Sequence, residues 1–157
     1  LTAEAWFSPM TLFENGVVFE KGYKNQQYSL LMQTNKELGA SELIWRLTLN
    51  GIKTDAIKVP AKTLFKPGWN HVAVTHTSGT QRMYINGKQV GSNTSVGLMP
   101  AAPAGLTIGA TGATSGTDPS RTYYLEGNIG IVRVYNRVLT NIEIASNFNR
   151  DRGRFGL

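Results

Sequence analysis

The fold is decided by Lys66–Gly91, KPGWNHVAVTHTSGTQRMYINGKQVG. Trp69, His71, Ala73 and Thr75 alternate with Asn70, Val72, Val74 and His76. That period of two is the mark of a β-strand, whose successive side chains point to opposite faces. Ser78-Gly79 punctuates the run, and Arg82, Tyr84 and Asn86 then alternate with Met83 and Ile85. Asn86-Gly87 follows. Both central residues of a type I′ turn need positive φ, and Asn-Gly supplies this at little cost, so the pair marks a hairpin. Three short antiparallel strands joined by two tight turns are the direct reading.

The same devices recur on the N-terminal side. Leu1–Ser8 reads as a strand ended by Pro9, and Asn15-Gly16 leads into a strand over Val17–Lys21. Gln26–Thr34 places Tyr28, Leu30 and Met32 opposite Gln27, Ser29, Leu31 and Gln33. After a polar loop, Glu42–Asn50 carries Leu43, Trp45, Leu47 and Leu49 on one face and Ile44, Arg46 and Thr48 on the other. Asn50-Gly51 turns this half-buried strand into another over Thr54–Val59, closed by Pro60. Trp6, Trp45 and Trp69 all sit in regular alternation and are expected in the core.

Beyond the meander, Leu106–Gly109 is a short strand. Ala110–Arg121 is the longest unpatterned stretch, rich in Gly, Ser and Thr, with Asp118-Pro119 near its end. Long loops on a rigid sheet are where binding usually sits. Tyr123–Tyr135 reads as one long strand, bent or interrupted near Gly127 and Gly130. Thr140-Asn-Ile-Glu143 is a capping box, flanked by Leu139 and Ile144 at the staple positions. The helix it opens is expected to reach about Asn147, with Ile144 and Phe148 turned inward. The expected fold is all-β: a two-sheet antiparallel β-sandwich, of the jelly-roll type, with one short C-terminal helix.

At 157 residues the chain is expected to form a single domain over 1–157, and a strand pattern that begins at Leu1 suggests excision from a longer protein. No cysteine is present, which excludes a disulfide framework, a thiolate nucleophile and a cysteine zinc site. The net charge is +6, spread from Lys21 to Arg154. Arg150, Arg152 and Arg154 with Asp151 make 149–157 a basic C-terminal tail. No recognition motif accompanies the charge, so no specific nucleic-acid partner is expected. The most apolar window, Leu98–Ala110, is broken by Pro100, Pro103 and Gly105 and is too short to span a bilayer, so no membrane insertion is expected.

In order along the chain, Gly68–Thr75, Met83–Gly87, Leu106–Gly109, Glu126–Ile129, Val132–Leu139 and Ile142–Ile144 form a set. It resembles the laminin-G-like and pentraxin-like jelly rolls of the concanavalin A-like lectin/glucanase superfamily. The resemblance covers about residues 1–148, with Glu4-Ala5-Trp6-Phe7 similar to the family's first strand. The ending, Asn147–Asn149 and Arg152–Leu157, resembles the close of such modules in bacteriophage structural proteins, which would imply a virion surface.

Members of this superfamily include glycoside hydrolases, which need two carboxylates flanking the scissile bond. The Glu-x-Asp-x-x-Glu strand motif of the glucanase branch is absent, and no two of the ten carboxylates stand two residues apart. His71 and His76, five apart on one strand, face opposite sides and cannot chelate one metal as neighbours. The resemblance also implies calcium, a cation that takes six to eight oxygens. Asp118 and Asn128 are the candidate ligands. Sugar binding needs exposed aromatic faces with a few fixed polar groups. Asp118, Arg121, Tyr123 and Tyr124, in and just after the long loop, are the candidates, against the alternative that the tyrosines pack as ordinary strand residues. Asn93-Thr-Ser95 is a glycosylation sequon, relevant in a eukaryotic secretory setting.

The expected function is a non-catalytic binding or adhesion module recognising glycan through loops at one end of the sandwich, outside the cell. The alternative is a structural or decoration module of a virion, whose partner is another structural protein or a second copy. A glycoside hydrolase is the least supported reading.

Overall fold

The computed structural model describes residues 1–11, 15–22, 27–35, 37, 39–61, 68–77, 79–101, 105–111 and 123–157. Its strands are β1 (Thr2–Pro9), β2 (Gly16–Lys21), β3 (Tyr28–Asn35), β4 (Ala40–Leu49), β5 (Ile52–Pro60), β6 (Asn70–His76), β7 (Gln81–Ile85), β8 (Lys88–Asn93), β9 (Leu106–Ile108) and β10 (Gly127–Tyr135). A helix, α1 (Asn141–Asp151), runs into a 3-10 turn at Arg152–Phe155. The strands make two five-stranded antiparallel sheets, sheet A in the order β10-β1-β6-β7-β8 and sheet B in the order β5-β4-β3-β2-β9.

The expected meander is β6-β7-β8, with Val72 opposite Ile85 and Met83 opposite Gly91. Asn50 and Asn86 have φ of 50° and 49°, followed by Gly51 at 78° and Gly87 at 77°, so both hairpins turn through two positive-φ residues as their sequences predict. Asn15-Gly16 behaves differently. Neither residue has positive φ. Instead Asn15 Oδ1 accepts the Thr34 amide at 2.9 Å, tying the start of β2 to the end of β3.

Between the sheets, Leu30, Met32, Leu43, Trp45 and Leu47 of sheet B meet Phe7, Val72, Val74, Met83 and Ile85 of sheet A. These are the faces that alternation assigns inward. β2 and β5 each carry a bulge, at Val18 and Ala56, one on each side of the Leu30–Trp45 pair of β3 and β4. Two successive residues therefore enter the core, Val18 with Phe19 and Ala56 with Ile57. A bulge bends its strand and increases local twist, so sheet B is shaped by two bulges flanking its centre.

The outer face of sheet A is covered by α1, which is why β6 is buried on both faces. Ala73, Tyr84, Leu139 and Ile144 form a second small core there. The capping box is present, with the Glu143 amide donating to Thr140 Oγ1 at 3.2 Å and the Thr140 amide to Glu143 Oε2 at 2.8 Å. Thr2 Oγ1 donates to the Arg137 carbonyl and accepts the Leu139 amide, both at 2.9 Å, which fastens the approach to the helix onto β1.

Three expectations are corrected here. The helix passes Asn147 and ends at Asp151. The basic stretch 149–155 finishes α1 and forms the 3-10 turn, and Phe155 stacks on Trp6 at 4.4 Å. Trp69 is only half-buried and tilts against Phe155 at 4.7 Å, whereas Trp6 and Trp45 are fully buried. Trp6 belongs to the layer beneath the helix, and Trp45 to the core between the sheets. β10 begins at Gly127, so Tyr123 is not its first residue. The interruption anticipated near Gly130 is the bulge that lets Trp6 pair with Ile131 and Phe7 with Ile129.

Candidate functional site

Of the four residues expected to bind ligand, the structure places Tyr123 and Tyr124; Asp118 and Arg121 lie outside the described residues. The two tyrosines are not packed as strand residues. They are 64% and 59% exposed. The Tyr123 carbonyl accepts the Val17 amide at 3.0 Å, and Tyr124 forms a parallel bridge with Val17. Tyr123 has φ of 54°, a left-handed conformation that costs a bulky side chain energy. Backbone bonding at the edge of β2 thus holds two adjacent aromatic rings out in solvent.

Strand register defines what lies beside them. Tyr124, Val17, Leu31, Ile44 and Lys58 stand in one row across sheet B. Val17, Leu31 and Ile44 form a small apolar cluster on this side of the sheet, and all three are buried. The adjoining row is Thr107, Glu20, Ser29, Arg46 and Asp55. Five strands at a spacing of about 4.8 Å make each row about 19 Å long. Arg46 Nε donates to Asp55 Oδ1, and Arg46 also reaches Gln33 Oε1 at 3.2 Å. Lys58 pairs with the other Asp55 oxygen at 3.0 Å. Burial alone would raise the pKa of Asp55, but hydrogen bonds from Arg46 and Lys58 outweigh it and hold the carboxyl below its ordinary value. The guanidinium and carboxylate are therefore fixed in place on a partly exposed surface. Sequence reasoning put Arg46 on this face; it missed Asp55 and Lys58 as partners because the bulge in β5 displaces the pairing.

Asn128 is exposed and pairs with Ser8 at the start of β10, in sheet A. Tyr124 lies along β2 in sheet B, so the segment between them crosses from one sheet to the other, and the structure does not unite Asn128 with the tyrosines. Among the described residues no group of three or more His, Asp or Glu side chains could hold a metal ion. The described residues thus offer no acidic set of the kind calcium takes, and Asp118 lies outside them.

Four of the carboxylates have structural partners. Glu4 accepts Asn147 Nδ2 at 2.9 Å and Asp55 is held by Arg46. Glu143 closes the cap and pairs with Arg137 at 2.7 Å, and Asp151 pairs with Arg133 at 2.7 Å. His71 is buried under α1, and the His76 ring nitrogen Nδ1 lies 3.1 Å from the Gln81 amide nitrogen Nε2.

A family model described as concanavalin A-like lectin/glucanases superfamily, of laminin G type, matches residues 1–145. No curated protein sequence matches the chain. Among solved structures, it is similar to a Bacteroides ovatus protein named provisionally for carbohydrate binding, at 19% identity and a TM-score of 0.65. That match covers 92% of this chain and 39% of the Bacteroides chain, so this chain spans about two fifths of that relative. The heptameric SAP-like pentraxin of Limulus polyphemus matches at 19% identity and a TM-score of 0.63, covering 92% of this chain and 67% of its own. The CBM40 of the Ruminococcus gnavus IT-sialidase matches at 14% identity and a TM-score of 0.67, over 94% of this chain and 81% of its own. At these identities the likeness is one of fold. No helix among the described residues is long and apolar enough to cross a membrane.

Proposed function

Given that this chain belongs to the concanavalin A-like lectin/glucanases superfamily, we propose that it is a non-catalytic glycan-binding module acting outside the cell. Its ligand lies against Tyr123 and Tyr124 at the edge of β2. The observation that carries this reading is the pair of tyrosines, solvent-exposed yet fixed by backbone bonds to β2. Aromatic rings offer apolar faces to sugar C–H groups. The fold neighbours support it. One is named for carbohydrate binding, and the Ruminococcus module has also been solved with α2,3-sialyllactose. The engagement of Glu4, Asp55, Glu143 and Asp151 by structural partners supports a role without catalysis.

A glycan array followed by titration of the best ligand tests the proposal. Tyr124→Ala is expected to weaken binding at least tenfold, a loss of about 1.4 kcal/mol, without lowering the melting temperature. A silent array, with the chain assembling on itself or on a virion protein, would overturn it in favour of the structural role. Turnover of a bound polysaccharide would overturn the non-catalytic part. Repeating the titration with calcium and with EDTA tests whether Asp118 and Asn128 contribute a metal.

A further inference from the structure

The outer face of sheet A holds a group of charges far from the tyrosine site. Glu4 on β1, His71 on β6, Arg133 and Tyr135 on β10, and Arg150 and Asp151 on α1 meet where the helix sits. Glu4 is 1% exposed. It accepts two contacts from Asn147 Nδ2 at 2.9 and 3.1 Å and faces the Tyr135 hydroxyl at 3.4 Å and Arg133 at 3.8 Å. Asp151 pairs with Arg133 at 2.7 Å and accepts two hydrogen bonds from Arg150, each 3.1 Å. Two carboxylates thus balance two guanidinium groups. His71 lies among them with its side chain fully buried, its ring 5.2 Å from Trp6 and 6.0 Å from Phe148. Its Nε2 is 3.9 Å from Glu4, and neither ring nitrogen has a hydrogen-bond partner among the described residues.

We propose that α1 and the turn after it form an acid-released latch, in which a proton taken up by His71 frees the element from the outer face of sheet A. The docked helix gives a charged imidazole almost no solvation. It also sets two guanidinium groups nearby, and among the described residues no oxygen lies within hydrogen-bonding distance of either ring nitrogen. Burial first, and then the Arg133 charge, depress the His71 pKa from 6.5 to about 4. The released state therefore binds the proton more readily than the docked state, and docking weakens as pH falls from 6.5 toward 4. Asp151 acts in the same direction at lower pH. Its hydrogen bonds from Arg150 hold it at about 2 against an ordinary 3.8, so its contribution is lost below 3.8. Glu4 opposes release. Burial raises its pKa, so the docked state carries a cost at high pH that eases as the carboxylate is protonated. That protonation also removes the anion nearest His71. Arg152 and Arg154 are exposed on the turn, and His76 projects from the other face of β6. Release would bare Trp6, Trp69 and His71.

Hydrogen exchange on the intact chain at pH 7 and pH 4, expressed as protection factors, tests the latch. Amides of Ile144–Asp151 are expected to lose at least tenfold protection at pH 4 while those of β1 and β6 keep theirs. His71→Phe, which keeps a ring in the stack and takes no proton, is expected to reduce that loss to less than threefold; His71→Gln serves if the ring variant does not fold. Equal helix protection at both pH values in the wild type would overturn the proposal without recourse to a variant. So would helix and sheet losing protection together, or a variant that responds like the wild type.

Discussion

A β-carbon at Gly127 would sit 2.3 Å from the Ser8 carbonyl oxygen and 2.9 Å from Pro9 Cα. Those atoms are backbone and cannot swing aside. Gly127→Ala is therefore expected to push β10 off β1 and cost about 1–3 kcal/mol, the range for overpacking a close-fitted site. At this chain length that lowers the melting temperature by about 2–12 °C, measurable by calorimetry. Nothing in the sequence distinguishes this glycine from a turn glycine; the constraint comes from a strand 118 positions away, as Pro9 pairs with Gly127. Asn50-Gly51 and Asn86-Gly87 were legible because a turn of two positive-φ residues is a local demand. Asn15-Gly16 was not, because a side-chain bond to Thr34 gives the same dipeptide another use. Of the binding candidates, Tyr123 and Tyr124 were legible as aromatics beside a long loop. The Arg46–Asp55–Lys58 group was hidden in a register that includes a bulge.

At the scale of the element, α1 shows what a cap signal can and cannot say. Thr140 and Glu143 announce where the helix starts, since the free amides of a first turn need acceptors whatever surrounds them. Thr140→Ala removes the acceptor for the Glu143 amide and is expected to destabilise the protein by about 1 kcal/mol, or about 2–4 °C in melting temperature. An unchanged melting curve would mean that the helix contributes nothing to global unfolding. The far end carried no comparable signal. Asn147 to Phe155 is polar and basic, and it stays ordered through partners on other elements: Glu4 for Asn147, Arg133 for Asp151, and Trp6 for Phe148 and Phe155. A residue such as Phe155 looks like part of a tail until the ring it stacks on is known.

For the molecule as a whole, alternation revealed the two layers, while the order of strands within each sheet left no trace in the sequence. Inward faces are written into each strand. The pairing of Thr2 with both Thr75 and Tyr135 is written nowhere locally, because antiparallel neighbours need only compatible faces and lengths. Long-range pairings of this kind also govern rate. Sandwiches dominated by them fold in milliseconds to seconds, so stopped-flow refolding of this chain is expected in that range, and microsecond relaxation would contradict the topology.

The position of β1, between β6 and β10, matters most while the chain is being made. Its first hydrogen-bonding partner is β6, and its second, β10, follows only after nearly the whole sequence. At about 5–20 residues per second, the roughly 133 residues from Thr2 to Tyr135 occupy a ribosome for about 7–27 s. Until β6 emerges, Ala3, Ala5, Trp6 and Phe7 form an apolar strand with two bare edges, and one edge stays bare until β10 follows, so a cell that makes this protein must keep that strand from pairing with a neighbour's.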